Sequence, residues 1–338
     1  MHHNFLSALV KRTITTASIT LGLLCSISCS GSAKAAGTDA DAASSDSLPT
    51  VYLIKDITPE NIVKIYHALG LKAEGNVAVK ISTGESEKSN HLRPALIQPL
   101  VNEVNGTIVE CNTAYGGNRS TTENSYKAAA DHGYTAIAKV DIMDGPGDTT
   151  LIVENGKHIP YDIVGKNYLN YDFTVVLSHF KGHAMGGFGG ALKNISIGIA
   201  SADGKAWIHT AGKTRNPAEL WSNLPEQDDF LESMAEASKA IIDHANGKIL
   251  YINVANNLSV DCDCDGNPHA PNMGDIGILA SLDPVALDRA CVDMVLNAPD
   301  EGKVDLIERI NSRHGTHILD YGEKIGLGSQ KYNLVTIE

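Results

Sequence analysis

The segment Asp172–His179, DFTVVLSH, limits the fold more than any other stretch of the chain. Val175, Val176 and Leu177 form a continuous apolar run, so this strand must be covered by protein on both faces. Such a strand belongs in the middle of a sheet with helices on either side, and its surroundings supply the partners. Val51–Lys55 reads as a strand; Thr58-Pro59 then caps a helix carrying Ile62, Val63, Tyr66 and Leu69 that stops at Gly70. Val77–Ser82 and Thr107–Asn112 are strand-like, with a helix over Pro94–Asn105 between them. Ser120-Thr121-Thr122-Glu123 resembles a capping box and opens a helix ending near Gly133. Asp228–Asn246 is helical, Lys248–Val254 and Asp275–Ser281 are strands, and Asp283-Pro284 starts a helix reaching about Leu296. Strand and helix in this alternation predict an α/β fold: a largely parallel sheet flanked by helices, with the irregular middle of the chain as a second, smaller lobe.

The 338 residues suffice for a core without disulfide staples. With 27 Lys and Arg against 40 Asp and Glu the formal charge is −13, which disfavours non-specific nucleic-acid binding. The first 35 residues contain no acid, place Lys11 and Arg12 before an apolar stretch from Ile19 to Ile27, and end in Ala33-Lys34-Ala35. That order predicts a cleaved secretory signal over 1–35 and a periplasmic or secreted protein. The apolar run is too short for a transmembrane segment, and no later stretch is long enough. Lipidation at Cys29 is the alternative. Residues 36–50 are small and polar, a flexible tether, which leaves 51–338 as the α/β domain.

Chemistry concentrates just after the buried strand. Ser178 to Asn194 holds His179 and His183, Lys181 and Lys193, and a run of glycines including Gly189 and Gly190. In open α/β sheets ligands sit at the carboxyl ends of strands, where this segment must lie. Glycines allow backbone amides to approach a ligand, as does Asn194 by its side chain. The imidazoles suit a metal, and Lys193 and Lys181 suit an anionic substrate or a catalytic role. The second concentration is Asp261-Cys262-Asp263-Cys264-Asp265-Gly266. One residue between the cysteines argues against a direct bridge, and thiolates among carboxylates need a cation to be stable. Cys262 and Cys264 therefore predict a soft transition metal, zinc, iron or an iron–sulfur unit, completed by histidines from His179, His183, His209 and His269. The same letters open like a calcium loop, although position twelve is Asn272 and not Glu, and they also fit an acidic turn. A third region, Cys111 to Ser120, offers Gly116, Gly117 and Arg119 before a helix, with Lys80 on the neighbouring strand, as an anion site.

These pieces together resemble the domain of unknown function 362, the uncharacterised iron–sulfur centre protein family. The matching segments are Val79-Lys80-Ile81, Leu177 to His183, Gly187 to Asn194, Gly198, Cys262-Asp263-Cys264, and Asp275-Ile276-Gly277 through Asp283-Pro284-Val285-Ala286. Many members carry a ferredoxin-like insert after the glycine-rich loop; the corresponding stretch here, Ser201–Asn246, has no cysteine, so that insert is absent. A looser similarity is to nickel-pincer lactate racemases, whose loop pairs a histidine with a Gly-Gly turn and a lysine; Lys193 falls one residue later than that pattern expects. The expectation is an exported metal-dependent enzyme, an oxidoreductase or isomerase, acting on a small anionic ligand, with any redox partner left open. A non-catalytic metal- or anion-binding module and a calcium-stabilised structural protein are the alternatives.

Overall fold

The computed structural model describes residues 47–338; the expected signal segment 1–35, with Cys29, and most of the expected tether lie outside the described residues. In chain order the elements are β1 (Thr50–Ile54), α1 (Pro59–Ala68), β2 (Val77–Lys80), α2 (Pro94–Glu103), β3 (Thr107–Glu110), α3 (Thr122–Asp131), β4 (Val140–Ile142), β5 (Asp148–Ile152), β6 (Tyr161–Gly165), β7 (Phe173–His179), β8 (Lys181–His183) and β9 (Gly187–Gly189). The rest are α4 (Ala191–Ile199), α5 (Ala202–His209), α6 (Gln227–Ala245), β10 (Ile249–Ala255), β11 (Gly277–Ser281), α7 (Pro284–Asn297), α8 (Lys303–Ser312), α9 (His317–Lys324) and β12 (Asn333–Thr336).

Eight strands make one sheet in the order β12-β1-β11-β10-β7-β2-β3-β4. Only β11 runs against its neighbours; the other contacts, from β10 through β4 and between β1 and β12, are parallel. The α/β architecture with a mostly parallel sheet is therefore what the alternation of elements predicts. Instead of a second sheet of any size, the irregular middle forms two hairpins, β5–β6 and β8–β9.

The apolar run of β7 divides between two cores. Phe173, Val175 and Leu177 pack on one face with α1 and α2, through Ile62, Ile65, Ile97 and Leu100. Val176 faces the other side, with Leu192 and Ile195 of α4, Phe230 and Met234 of α6, and Leu287 of α7. Strand alternation directs successive side chains to opposite faces, so an unbroken apolar run is the sequence form of a strand covered twice. Local caps hold the helices in place: Asn61 N–H donates to Thr58 Oγ1 at 3.2 Å, and Ala286 N–H to Asp283 Oδ1 at 2.9 Å. For α3 the cap is Thr121, which accepts from Asn124 N–H at 3.3 Å, one residue later than the capping-box reading placed it.

Candidate functional site

The connections out of β2 and β7 leave in opposite directions. α2 joins β2 to β3 on one face, while α4, α5 and α6 carry the chain from the β7 side to β10 on the other. That reversal opens a crevice at the carboxyl ends of the two strands, where Lys80 ends β2 and His179 ends β7. Asn194, in the first turn of α4, fastens the strands together. Its Nδ2 donates to the Lys80 carbonyl at 3.1 Å and to Ser178 Oγ at 3.0 Å.

Cations crowd this end of the sheet, and most are answered by carboxylates of the chain itself. Glu110, the last residue of β3, accepts from Lys80 Nζ at 2.8 Å through Oε1 and from Arg119 Nη1 at 2.8 Å through Oε2. Arg119 Nε also donates to Glu85 Oε2 at 3.2 Å. Burial pushes the Glu110 carboxyl up, but the charges of Lys80 and Arg119 outweigh it and hold its pKa at about 2. Gly117, at φ +152°, lets Glu85 approach where any Cβ would collide with it, whereas Gly116 faces open space. Lys80, Gly117 and Arg119 thus meet around one spot, and the anions seated among them are Glu110 and Glu85.

Asp263 plays the same part for the glycine-rich segment. It is fully buried, with His179 Nδ1 2.7 Å from Oδ1 and Lys181 Nζ 2.9 Å from Oδ2. The aligned hydrogen bond of Lys181 goes to the His179 carbonyl at 2.7 Å; its contact with Asp263 is an ion pair. Burial acts to raise the Asp263 carboxyl, and the charges of Lys181 and His179 overcome it, holding the group well below the usual carboxylate range. His179 Nε2 is 2.6 Å from the Asn256 carbonyl, so both ring nitrogens are engaged and neither is free as a metal ligand.

The cysteines meet a different histidine. His183, Cys262 and Cys264 bring one nitrogen and two sulfurs within 4.8 Å of one another. The sulfurs form a disulfide, contrary to what the one-residue spacing predicts. A tight turn, closed by Asp265 N–H donating to the Cys262 carbonyl at 2.9 Å, brings the two Cα atoms to 5.2 Å and makes the bridge reachable. His183 Nδ1 accepts from Gly186 N–H at 2.8 Å. Burial, then the nearby charges of Lys193, His209, Lys181 and Arg309, lowers the His183 pKa well below the usual imidazole value, so the ring stays neutral. A neutral imidazole beside two sulfurs fits a soft metal once the sulfurs are thiolates. His209 lies outside that triad. Its Nδ1 faces the Lys205 carbonyl at 2.6 Å, its ring stacks on Phe230, and burial lowers its pKa to about 4. His269 is solvent-exposed beside Asp261.

Asp261, Asp263 and Asp265 do not converge on a common ion. Asp261 pairs with His269 at 2.9 Å, Asp263 with Lys181 and His179, and Asp265 accepts from Asn267 N–H at 2.7 Å.

Lys193 differs from the other cations. It sits in the first turn of α4, a helix that starts within what the sequence presented as a glycine-rich loop, and among the described residues its ammonium has no carboxylate or carbonyl partner. Loss of hydration, then the charge of Lys181, with smaller effects from Lys80 and Arg119, brings its pKa down to about 7 against the pull of Asp263. Gly189 lies between the two ammonium-bearing chains: a Cβ there would stand 3.7 Å from Lys193 Cδ and 3.8 Å from Lys181 Cε. Two of the first amides of α4 are already taken. Asp288 of α7 accepts from Ala191 N–H at 2.7 Å and Leu192 N–H at 3.0 Å, and its carboxylate fills the space that a Cβ at Gly190 would need.

Glu110 is the site carboxylate that motif reading passed over; Glu85 reads as a rim residue of the third region, and Asp288 as an acid at the start of α7 with no partner assigned. One signal was available for Glu110. The strands VAVK and TIVE each end an apolar run on a charge, of opposite sign, and they lie side by side in the sheet. A surface depression of about 850 Å³ opens at the amino ends of β2, β3 and β4, away from all of these groups.

The profile of the family described as domain of unknown function (DUF362) matches residues 77–293, a span that runs from β2 into α7 and holds the groups of this crevice. No curated protein matches the sequence. Among solved structures, the lactate racemase apoprotein from Thermoanaerobacterium thermosaccharolyticum is similar at 15% identity and a TM-score of 0.43, over 74% of this chain and 57% of that one. A structural-genomics protein from Thermotoga maritima is similar at 15% identity and a TM-score of 0.38, over 69% of this chain and 57% of that one. The chain spans a little over half the length of either structure.

Proposed function

The chain belongs to the domain of unknown function family DUF362, and from that premise we propose that it is an exported metal-dependent enzyme acting on a small anionic ligand, with Lys193 as the residue that binds it. The observation that carries this reading is the contrast among the cations. Lys80, Arg119 and Lys181 are each matched by a buried carboxylate, and Lys193 is left unmatched at the same strand ends. A carboxylate or phosphate of the ligand completes the pairing. With a pKa of about 7, Lys193 Nζ exists in both protonation states near neutral pH, so it can give or accept a proton at the bound ligand. Lys181 and Asp263 act as positioning residues that tie the cysteine loop between β10 and β11 to the end of β7 at His179.

Cys262, Cys264 and His183 are the residues that would hold the metal, a zinc- or iron-class ion. When bound, such an ion supplies Lewis acidity or electron exchange next to the ligand. The Cys262–Cys264 disulfide favours a second reading, a binding module that captures an anion without turnover. Binding of small carboxylates and phosphate to the reduced full-length chain, measured by calorimetry, tests both. Lys193→Met is expected to lower anion affinity at least tenfold, and unchanged affinity overturns the proposal. Turnover that Lys193→Met abolishes supports the enzyme, whereas lost affinity with no turnover under any metal condition leaves the binding module.

Export rests on the 1–35 segment. Intact mass of the protein recovered outside the cytoplasm is expected to show cleavage after Ala35; a diacylglycerol adduct on Cys29 or an uncleaved chain overturns that.

A further inference from the structure

On the far side of α6 a second group of imidazoles and carboxylates comes together from three separate parts of the chain. Glu232, in the second turn of α6, directs each carboxylate oxygen to a different ring. Oε2 lies 2.7 Å from Nε2 of His158, in the loop between β5 and β6, and Oε1 lies 3.1 Å from Nε2 of His317, the first residue of α9. Asp229 Oδ1 stands 3.7 Å from the same nitrogen of His158, and these two residues with Glu232 keep their ligand atoms within 4.8 Å of one another. We infer that His158, Glu232, His317 and Asp229 form a binding site for a divalent transition ion of the zinc class, separate from the cysteine centre.

Donor type and spacing both support this. Two imidazole nitrogens and two carboxylates are a borderline-hard set suited to zinc. Metal–ligand bonds near 2.0–2.1 Å in a tetrahedron put neighbouring donor atoms about 3.3 Å apart. The contacts of 2.7 and 3.7 Å at His158 Nε2 bracket that edge, and His317, which meets the other oxygen of Glu232 at 3.1 Å, joins as the fourth donor by rotation of its side chain. The donors are also held from behind. Glu236, one turn along α6 and buried, accepts from the backbone N–H groups of Lys157 at 2.8 Å and Ile159 at 2.9 Å and from the Tyr321 hydroxyl at 2.8 Å, which fixes the His158 loop and α9 to the same helix. The cation now nearest Glu232 is Lys157 Nζ, 2.7 Å from Oε2. Its side chain is 59% exposed, so it can swing into solvent at little cost. Asp228, His314 and His317 form a neighbouring group whose ligand atoms also lie within 4.8 Å of one another, with His314 2.6 Å from Asp228 and its ring stacked on His317.

Zinc chloride titrated into the full-length Cys262→Ser/Cys264→Ser chain tests this, because the cysteine centre cannot contribute there. One equivalent is expected to bind and to raise the melting temperature; His158→Gln/His317→Gln in that background is expected to lose the equivalent and the shift while melting normally without metal. A cobalt(II) titration gives a second readout: visible d–d bands with no thiolate charge transfer are expected, and the same two changes should abolish them. No binding in the cysteine-free chain, or binding that survives His158→Gln alone or together with His317→Gln, overturns the inference, since the neighbouring Asp228, His314 and His317 group does not contain His158. Because the cysteine centre is removed from the outset, failure here leaves the reading of Lys193 and Cys262–Cys264 untouched.

Discussion

Glu110 holds two cations that are almost wholly out of water: Lys80 is 1% exposed and Arg119 5%. Removing the shared carboxylate would strand both charges, so Glu110→Gln is expected to cost about 3–5 kcal/mol, the loss typical of breaking a buried ion pair from one side. Urea denaturation at pH 7 measures it, and a change below 1 kcal/mol would show that water reaches the cluster. The sign of the pH effect follows from the folded pKa of about 2, which is below the unfolded value. Glu110 therefore contributes stability that is complete above pH 5 and fades as the pH falls towards 2. Lys80 was visible in the sequence as a cation on a strand and Arg119 as one just before a helix. Their pairing was not, because Glu110 lies 30 residues from one and 9 from the other and only the sheet makes them neighbours.

α4 shows why some elements escape a reading by pattern. Gly187, Gly189 and Gly190 precede it and Gly198 interrupts it, so its residues read as the end of a loop. The fold makes it a helix by supplying a cap from elsewhere, the Asp288 carboxylate on the Ala191 and Leu192 amides. Asp288→Ala leaves both amides without a partner and is expected to cost about 1–3 kcal/mol in thermal or chemical denaturation. Burial raises the Asp288 pKa to about 6, against hydrogen bonds that pull it down. The folded value is above the unfolded one, so the folded chain holds this proton more tightly, and the contribution of Asp288 to stability declines as pH rises from about 4 to about 6. The difference between the native chain and Asp288→Ala across that range should follow this slope; a flat difference would mean that the carboxyl is ionised throughout. By contrast β7, α6 and α7 were legible, because an unbroken β-branched run, a 3.6-residue period and an Asp-Pro start are written locally. β12 was not: it is four exposed edge residues with no alternation, held through pairing to β1 at the other end of the chain.

For the molecule as a whole, the proposed function would make the cysteine centre couple metal binding to oxidation state. Disulfide sulfurs are poor ligands, so the Cys262–Cys264 bridge has to be reduced before two thiolates and His183 can hold an ion. Zinc titration with and without a phosphine reductant is expected to differ by one equivalent in the native chain and by none in Cys262→Ser/Cys264→Ser. Equal stoichiometry in both conditions for the native chain would rule out thiolate ligation. Among the described residues no helix is long and apolar enough to cross a membrane. The sequence by itself determined the architecture and the end of the sheet at which ionisable groups gather, since periodicity and caps act over a few residues and a parallel sheet follows from their order. Which cation is left unpaired, which histidine joins the cysteines and which carboxylate caps α4 were decided only by the tertiary structure. Electrostatic pairing depends on distances of a few ångströms, and residues 34, 84 or 97 positions apart acquire such distances only when the sheet is assembled.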